Sequence, residues 1–165
     1  MAARIEPKEV IHARAVESIA RQRFGYPNEK YPHYKTYTNV PARSMGVRLA
    51  SGAAVYPDIV VVQDPENYVK LLGQVAAFDS VNEDAAEEWA TFAELGPLYL
   101  YVPVGFVDLA QKLYKRHKVQ LVGLRTWREA VGYDDIEITE IFTVPSGPED
   151  MIAPGILKGV LKKLL

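Results

Sequence analysis

With 165 residues and 48% hydrophobic content, the chain is long enough to bury one core and too short for two ordinary domains, so a single domain over residues 1–165 is expected. It contains no cysteine, which excludes disulfide scaffolds, thiolate metal ligands and thiol nucleophiles together. The net charge of -2 conceals an uneven distribution: residues 1–50 carry nine basic and four acidic side chains, residues 51–100 one and nine, and residues 101–165 nine and eight. A basic first third beside an acidic middle fits an anion-facing surface near a cation-facing one, or simply two solvated faces. The charged opening around Arg4, Glu6, Lys8 and Glu9 leaves no apolar stretch for a signal peptide. No apolar run reaches the roughly 20 residues that cross a bilayer. A cytoplasmic protein without a membrane partner is expected.

In chain order, Val16, Ile19, Ala20 and Phe24 recur at helical spacing and Gly25 supplies a stop, which predicts a helix over about 8–24. From Tyr26 to Pro41 the chain is rich in Pro, Asn and Tyr and has no period, so an irregular surface excursion is expected. Residues 47–52 are a short strand candidate. In 55–63 the run Ile59-Val60-Val61-Val62 has the β-branched character of a buried strand, and 68–79 form a second long strand after a turn at 64–67. Ser80, three residues before Glu83, fits a capping box opening a helix that carries Ala85, Ala86, Trp89, Phe92 and Ala93 up to Gly96. A strand at 98–102, a helix at about 104–117 and a strand at 119–127 follow, and the helical crossover predicts that these two strands are parallel. Residues 136–143 read as an edge strand, and 152–165 as an amphipathic helix with Lys158, Lys162 and Lys163 on its polar side.

The hairpin can be counted. A three-residue loop of Pro65, Glu66 and Asn67, with Asn67 left-handed, pairs Asp64 with Tyr68 and sets Asp58 against Gln74. Opposed residues hold their Cβ atoms about 4.5–5.5 Å apart and residues two apart share a face. Asp58, Gln74 and Ala76 are therefore expected on one patch, whereas a one-residue slip would part them.

The order helix, three strands, helix, strand, with Tyr56-Pro57-Asp58-Ile59-Val60-Val61-Val62, Gly73-Gln74-Val75-Ala76 and the acidic helix after Asp79-Ser80, resembles the PD-(D/E)xK or restriction-endonuclease-like nuclease superfamily. The likeness is to small bacterial members and covers about residues 8–127. It implies an α/β fold with an αβββαβ core, a mixed central sheet flanked by helices, and an appended helix-strand unit; the C-terminal edge strand and helix occupy about 135–165. It also implies a site for Mg²⁺ at Asp58, the position matching the motif Asp. The family's second carboxylate falls on Gln74 and its lysine on Ala76. An amide removes a full charge from a hard-cation site, and alanine removes the group that orients water, so hydrolysis by the usual route is not expected. Displaced groups offer a way back: Glu9 and His12, one turn apart on the first helix and on the side of Val16 and Ile19, are placed to approach Asp58. The plainer alternative is a solvated helix start.

Between Lys30 and Arg48, Lys30, Tyr31, His33, Tyr34, Lys35 and Tyr37 interleave cations with rings, and Arg43 and Arg48 follow. Such a set suits single-stranded nucleic acid, with cations for phosphates and rings for bases, or else packs a long loop onto the core. No glycine-rich phosphate loop is present, and the three histidines lack metal-ligand spacing. Three readings stand: a catalytically degenerate nuclease fold binding nucleic acid or a partner, with Asp58, Gln74 and Glu9 as vestigial or displaced catalytic positions; an active Mg²⁺-dependent DNA endonuclease built on Asp58; and a dimerisation module using Ile156, Leu157, Val160, Leu161, Leu164 and Leu165 in a homodimer.

Overall fold

A computed structural model describes residues 6–130 and 135–144. It is a mixed α/β structure with three helices and a six-stranded sheet. The helices are α1 (Lys8–Arg23), α2 (Glu83–Leu95) and α3 (Val107–Arg116). The strands are β1 (Tyr34–Thr38), β2 (Val47–Arg48), β3 (Ala54–Val55), β4 (Ile59–Gln63), β5 (Tyr68–Val75), β6 (Leu98–Pro103), β7 (Leu121–Glu129) and β8 (Ile136–Thr143). The main sheet has the order β1-β4-β5-β6-β7-β8; β5, β6 and β7 are parallel, and the pairs toward both edges are antiparallel. The two crossovers, α2 and α3, lie on one face because the sheet grows in one direction through them and such connections keep one hand.

Alternation along the strands builds two cores. Val60, Val62, Leu72, Leu100, Val102 and Leu124 face α2 and α3, meeting Trp89, Phe92 and Leu113. Ile59, Val61, Leu71, Val75, Tyr101 and Trp127 face α1, meeting Val16, Ile19 and Phe24. Each large apolar side chain sealed there contributes about 1.5–3 kcal/mol, which holds α1 although no side chain caps its N-terminus. Gly73 makes the fit possible: a Cβ there would lie 3.2 Å from both Ile59 and the Phe24 ring.

Three expectations are corrected. Residues 26–41 are not wholly irregular, because Tyr34–Thr38 forms an edge strand antiparallel to β4. The strand expected at 47–52 lies outside the main sheet: Val47–Arg48 pairs only with Ala54–Val55 in a two-stranded ribbon. Three strands still precede α2 in the main sheet, but the first of them is β1. Third, α2 is capped by Asn82, whose side chain accepts from Ala85 N–H at 2.9 Å, while Ser80 donates to Asp79. The parallel β6–β7 pair and the edge strand at 136–143 are as expected. The helix expected at 152–165, with the apolar residues of the dimer reading, lies outside the described residues.

Candidate functional site

Asp58 and Gln74 meet, by a route different from the simple count. At the turn the register is Gln63↔Tyr68 and Val62↔Val69, so the loop has four residues, not three. The register then shifts between Val61 and Val62, with Lys70 as the extra residue, and Ile59 pairs with Gly73. The bulge offsets the longer loop. Asn67 takes the left-handed conformation expected of it, at φ 61°.

One step past Ile59↔Gly73 the ladder is continued by side chains. The Gln74 Oε1 accepts the Asp58 N–H at 2.9 Å, and the Asp58 Oδ2 accepts the Val75 N–H at 3.0 Å. Asp58 is only 5% exposed. Its strand end is held by buried Asn39, whose amide donates to the Pro57 and Met45 carbonyls and accepts from the Ser44 and Met45 N–H groups, while its own N–H reaches the Asp58 carbonyl. No feature of the sequence singled out Asn39, since nothing local distinguishes it from an ordinary turn asparagine.

His12 completes the site from α1. Its Nε2 lies 3.1 Å from Asp58 Oδ2 and 2.7 Å from the Val75 carbonyl. Both partners accept, so Nε2 carries a proton and donates. The hydrogen bond to Asp58 raises the imidazole above its ordinary value, outweighing the burial that opposes it. Beside His12 lies a cleft of about 160 Å³ lined by Lys8, Glu9, His12, Ala77, Asp79 and Ser80. Lys8 and Asp79 form an exposed ion pair there. Glu9 lines the cleft but forms no hydrogen bond or ion pair among the described residues, so of the two displaced candidates His12 alone reaches Asp58. Ala76 is buried; its carbonyl accepts the Trp127 indole N–H at 2.9 Å. On α2, Glu88 is raised by desolvation first and by the charge of Asp58 second.

These residues do not fit a magnesium ion. The Asp58 Oδ2 already accepts from two donors, the Gln74 carbonyl oxygen is turned to main chain, and no group of three His, Cys, Asp or Glu side chains that could hold a metal occurs among the described residues.

The basic and aromatic set is ordered around the β1 edge but divided between faces. Tyr34 packs against the core under α1, whereas Tyr37 packs under α2 and α3. Tyr31 stacks on Tyr34 at 4.6 Å, and Tyr26 leans on both. Lys30 lies 5.6 Å from the Tyr31 ring centroid, Lys35 5.2 Å from that of Tyr37, and Arg43 4.3 Å from that of Tyr56. Arg48 donates to the Gly52 carbonyl, and His33 is exposed. No helix among the described residues is long and apolar enough to cross a membrane. Compared with protein families, curated proteins and solved structures, the chain finds no match in any of the three.

Proposed function

We propose that this chain is a restriction-endonuclease-like protein that binds nucleic acid without cleaving it, its metal position converted into a structural clasp. The observation carrying this reading is the double use of the Asp58 carboxylate, which closes the β4–β5 ladder through Val75 N–H and receives the His12 N–H. The His12 N–H, on an imidazole held above its ordinary value by that same hydrogen bond, faces the carboxylate where a metal-dependent nuclease would place its cation. Binding falls to the β1 edge, where Lys30, Lys35 and Arg43 stand over tyrosine rings and are positioned for phosphates, with the stacked Tyr31 and Tyr34 beside them.

The test pairs two measurements on the full chain. A labelled 15-nucleotide single strand is titrated at about 50 mM salt by fluorescence anisotropy, and the same strand and a duplex are incubated with Mg²⁺ or Mn²⁺ and run on a denaturing gel. Binding with intact nucleic acid supports the reading. Cleavage lost in Asp58→Ala would instead establish the metal-dependent endonuclease, and no binding would favour the dimerisation module.

A further inference from the structure

On the α1 face of the sheet, Arg125 of β7 is 8% exposed, and its Nε–H is fully buried without a hydrogen-bond partner among the described residues. Its Nη1 donates to the Tyr101 hydroxyl at 3.0 Å, and its Cζ lies 4.6 Å from the Tyr99 ring centroid. Among the described residues its Nη2 has only long contacts, 3.4 Å to the Glu140 carboxylate and 3.3 Å to the Thr143 hydroxyl. A buried donor without a partner costs about 1–3 kcal/mol, and a buried guanidinium ordinarily has all its N–H groups engaged.

Guanidinium Nε and Nη2 share one edge, the edge that takes two oxygens of a single oxyanion in parallel. Here that edge is half used. Glu140, on the edge strand β8 and itself half exposed, touches it through one oxygen at the limit of bonding. Arg23, exposed in the last turn of α1, directly precedes Phe24, whose ring stands edge-on to both Tyr99 and Tyr101, with centroids 6.0 and 6.2 Å away. The cradle is shaped for close approach: a Cβ at Gly123 would lie 2.8 Å from the Tyr99 ring, so glycine leaves room for that ring next to the guanidinium.

We propose that the Nε and Nη2 edge of Arg125 is a receptor for a phosphate group, with Arg23 of the overlying α1 as its second cation, and that Glu140 half-fills it in the free protein. Two cations match a phosphate of charge near -2 better than the single carboxylate now present. The phosphate belongs either to a polynucleotide backbone or to a small phosphorylated molecule. The site does not depend on Asp58: Arg23 stands eleven residues beyond His12 on α1, about 16 Å along the helix axis.

The test follows the Arg125 Nε–H resonance by ¹⁵N NMR during titration with inorganic phosphate, for the wild type, Glu140→Gln, Arg23→Gln and Arg125→Lys. Phosphate is expected to shift that resonance. Removing the competing carboxylate in Glu140→Gln should tighten phosphate binding by about tenfold. Arg23→Gln should weaken it by several-fold with an unchanged melting temperature, and Arg125→Lys, which cannot present the paired edge, should abolish the saturable response of the remaining amide resonances. Should Arg125→Lys fail to fold, the Arg23 and Glu140 variants decide the matter. A resonance that phosphate leaves unmoved in both wild type and Glu140→Gln, or a Glu140→Gln protein that binds phosphate more weakly, overturns the proposal. An oligonucleotide lacking terminal phosphates, displaced by inorganic phosphate, identifies a polynucleotide backbone as the source. Phosphate binding without oligonucleotide binding identifies a small phosphorylated molecule.

Discussion

Because His12 Nε2 donates to two acceptors, protonation of the ring adds charge facing Asp58 without rearranging the clasp. Its value is raised above 6.5, so its contribution to stability is complete below the unfolded value and is lost as pH rises through the folded value. The free energy of unfolding should therefore decline as pH is raised above about 6.5, and this slope should vanish in His12→Ala; urea titrations at several pH values check it. A wild-type curve flat from pH 6 to 9 would refute the linkage. Asp58→Ala should cost more, about 3 kcal/mol, because it strips the partner from a buried main-chain N–H and from His12 at once. The same titration at constant pH measures that loss. Some of this site was legible: helical spacing put His12 on the inward side of α1, and the hairpin count set Asp58 against Gln74. Glu9 shares that arc, yet it lines the cleft without reaching Asp58. Arg125 gave no signal, because one cation in an apolar strand reads like any residue at an exposed strand position until its neighbours are known.

At the scale of elements, long apolar runs were readable and short polar ones were not. Ile59 to Val62, the α2 stripe and the crossover to β7 each carry a period that burial enforces, and each formed as expected. The hairpin register came out right through two departures that cancel, a four-residue loop and a bulge at Lys70, neither of which alternation reveals. β1 was hidden because Tyr34–Thr38 sits among Pro and Asn residues, and its strand character comes from pairing with β4. The α2 cap shows how two similar signals compete. Ser80 and Asn82 are both good N-cap residues, and the chain uses Asn82, whose Oδ1 accepts from Ala85 N–H. Asn82→Ala should therefore lower stability by about 1 kcal/mol, and Ser80→Ala by much less. Denaturant midpoints for the two variants separate them; equal losses would mean that Ser80 shares the cap.

At the scale of the molecule, charge and topology restrict where a polyanion can lie. The acidic middle of the chain enters α2, whose first turn carries Glu83 and Asp84, and this helix covers the sheet face opposite α1. With a net charge of -2, the protein offers nucleic acid no general attraction, so the single-strand binding proposed above is assigned to a local surface, the β1 edge. That edge offers Lys30, Lys35 and Arg43. Three phosphate contacts to a single strand correspond to a slope of log K against log salt near about -2, since each contact contributes roughly 0.7. The slope should fall toward zero in the combined variant Lys30→Gln, Lys35→Gln, Arg43→Gln, whose stability should change little because the three cations are themselves exposed. Affinity measured by anisotropy between about 50 and 200 mM salt gives both slopes. A wild-type slope steeper than about -5 would require more cations than this edge holds and would move the interface elsewhere. A slope unchanged by the triple substitution would do the same. Only a shallow slope abolished by these three changes fits a strand lying along the β1 edge.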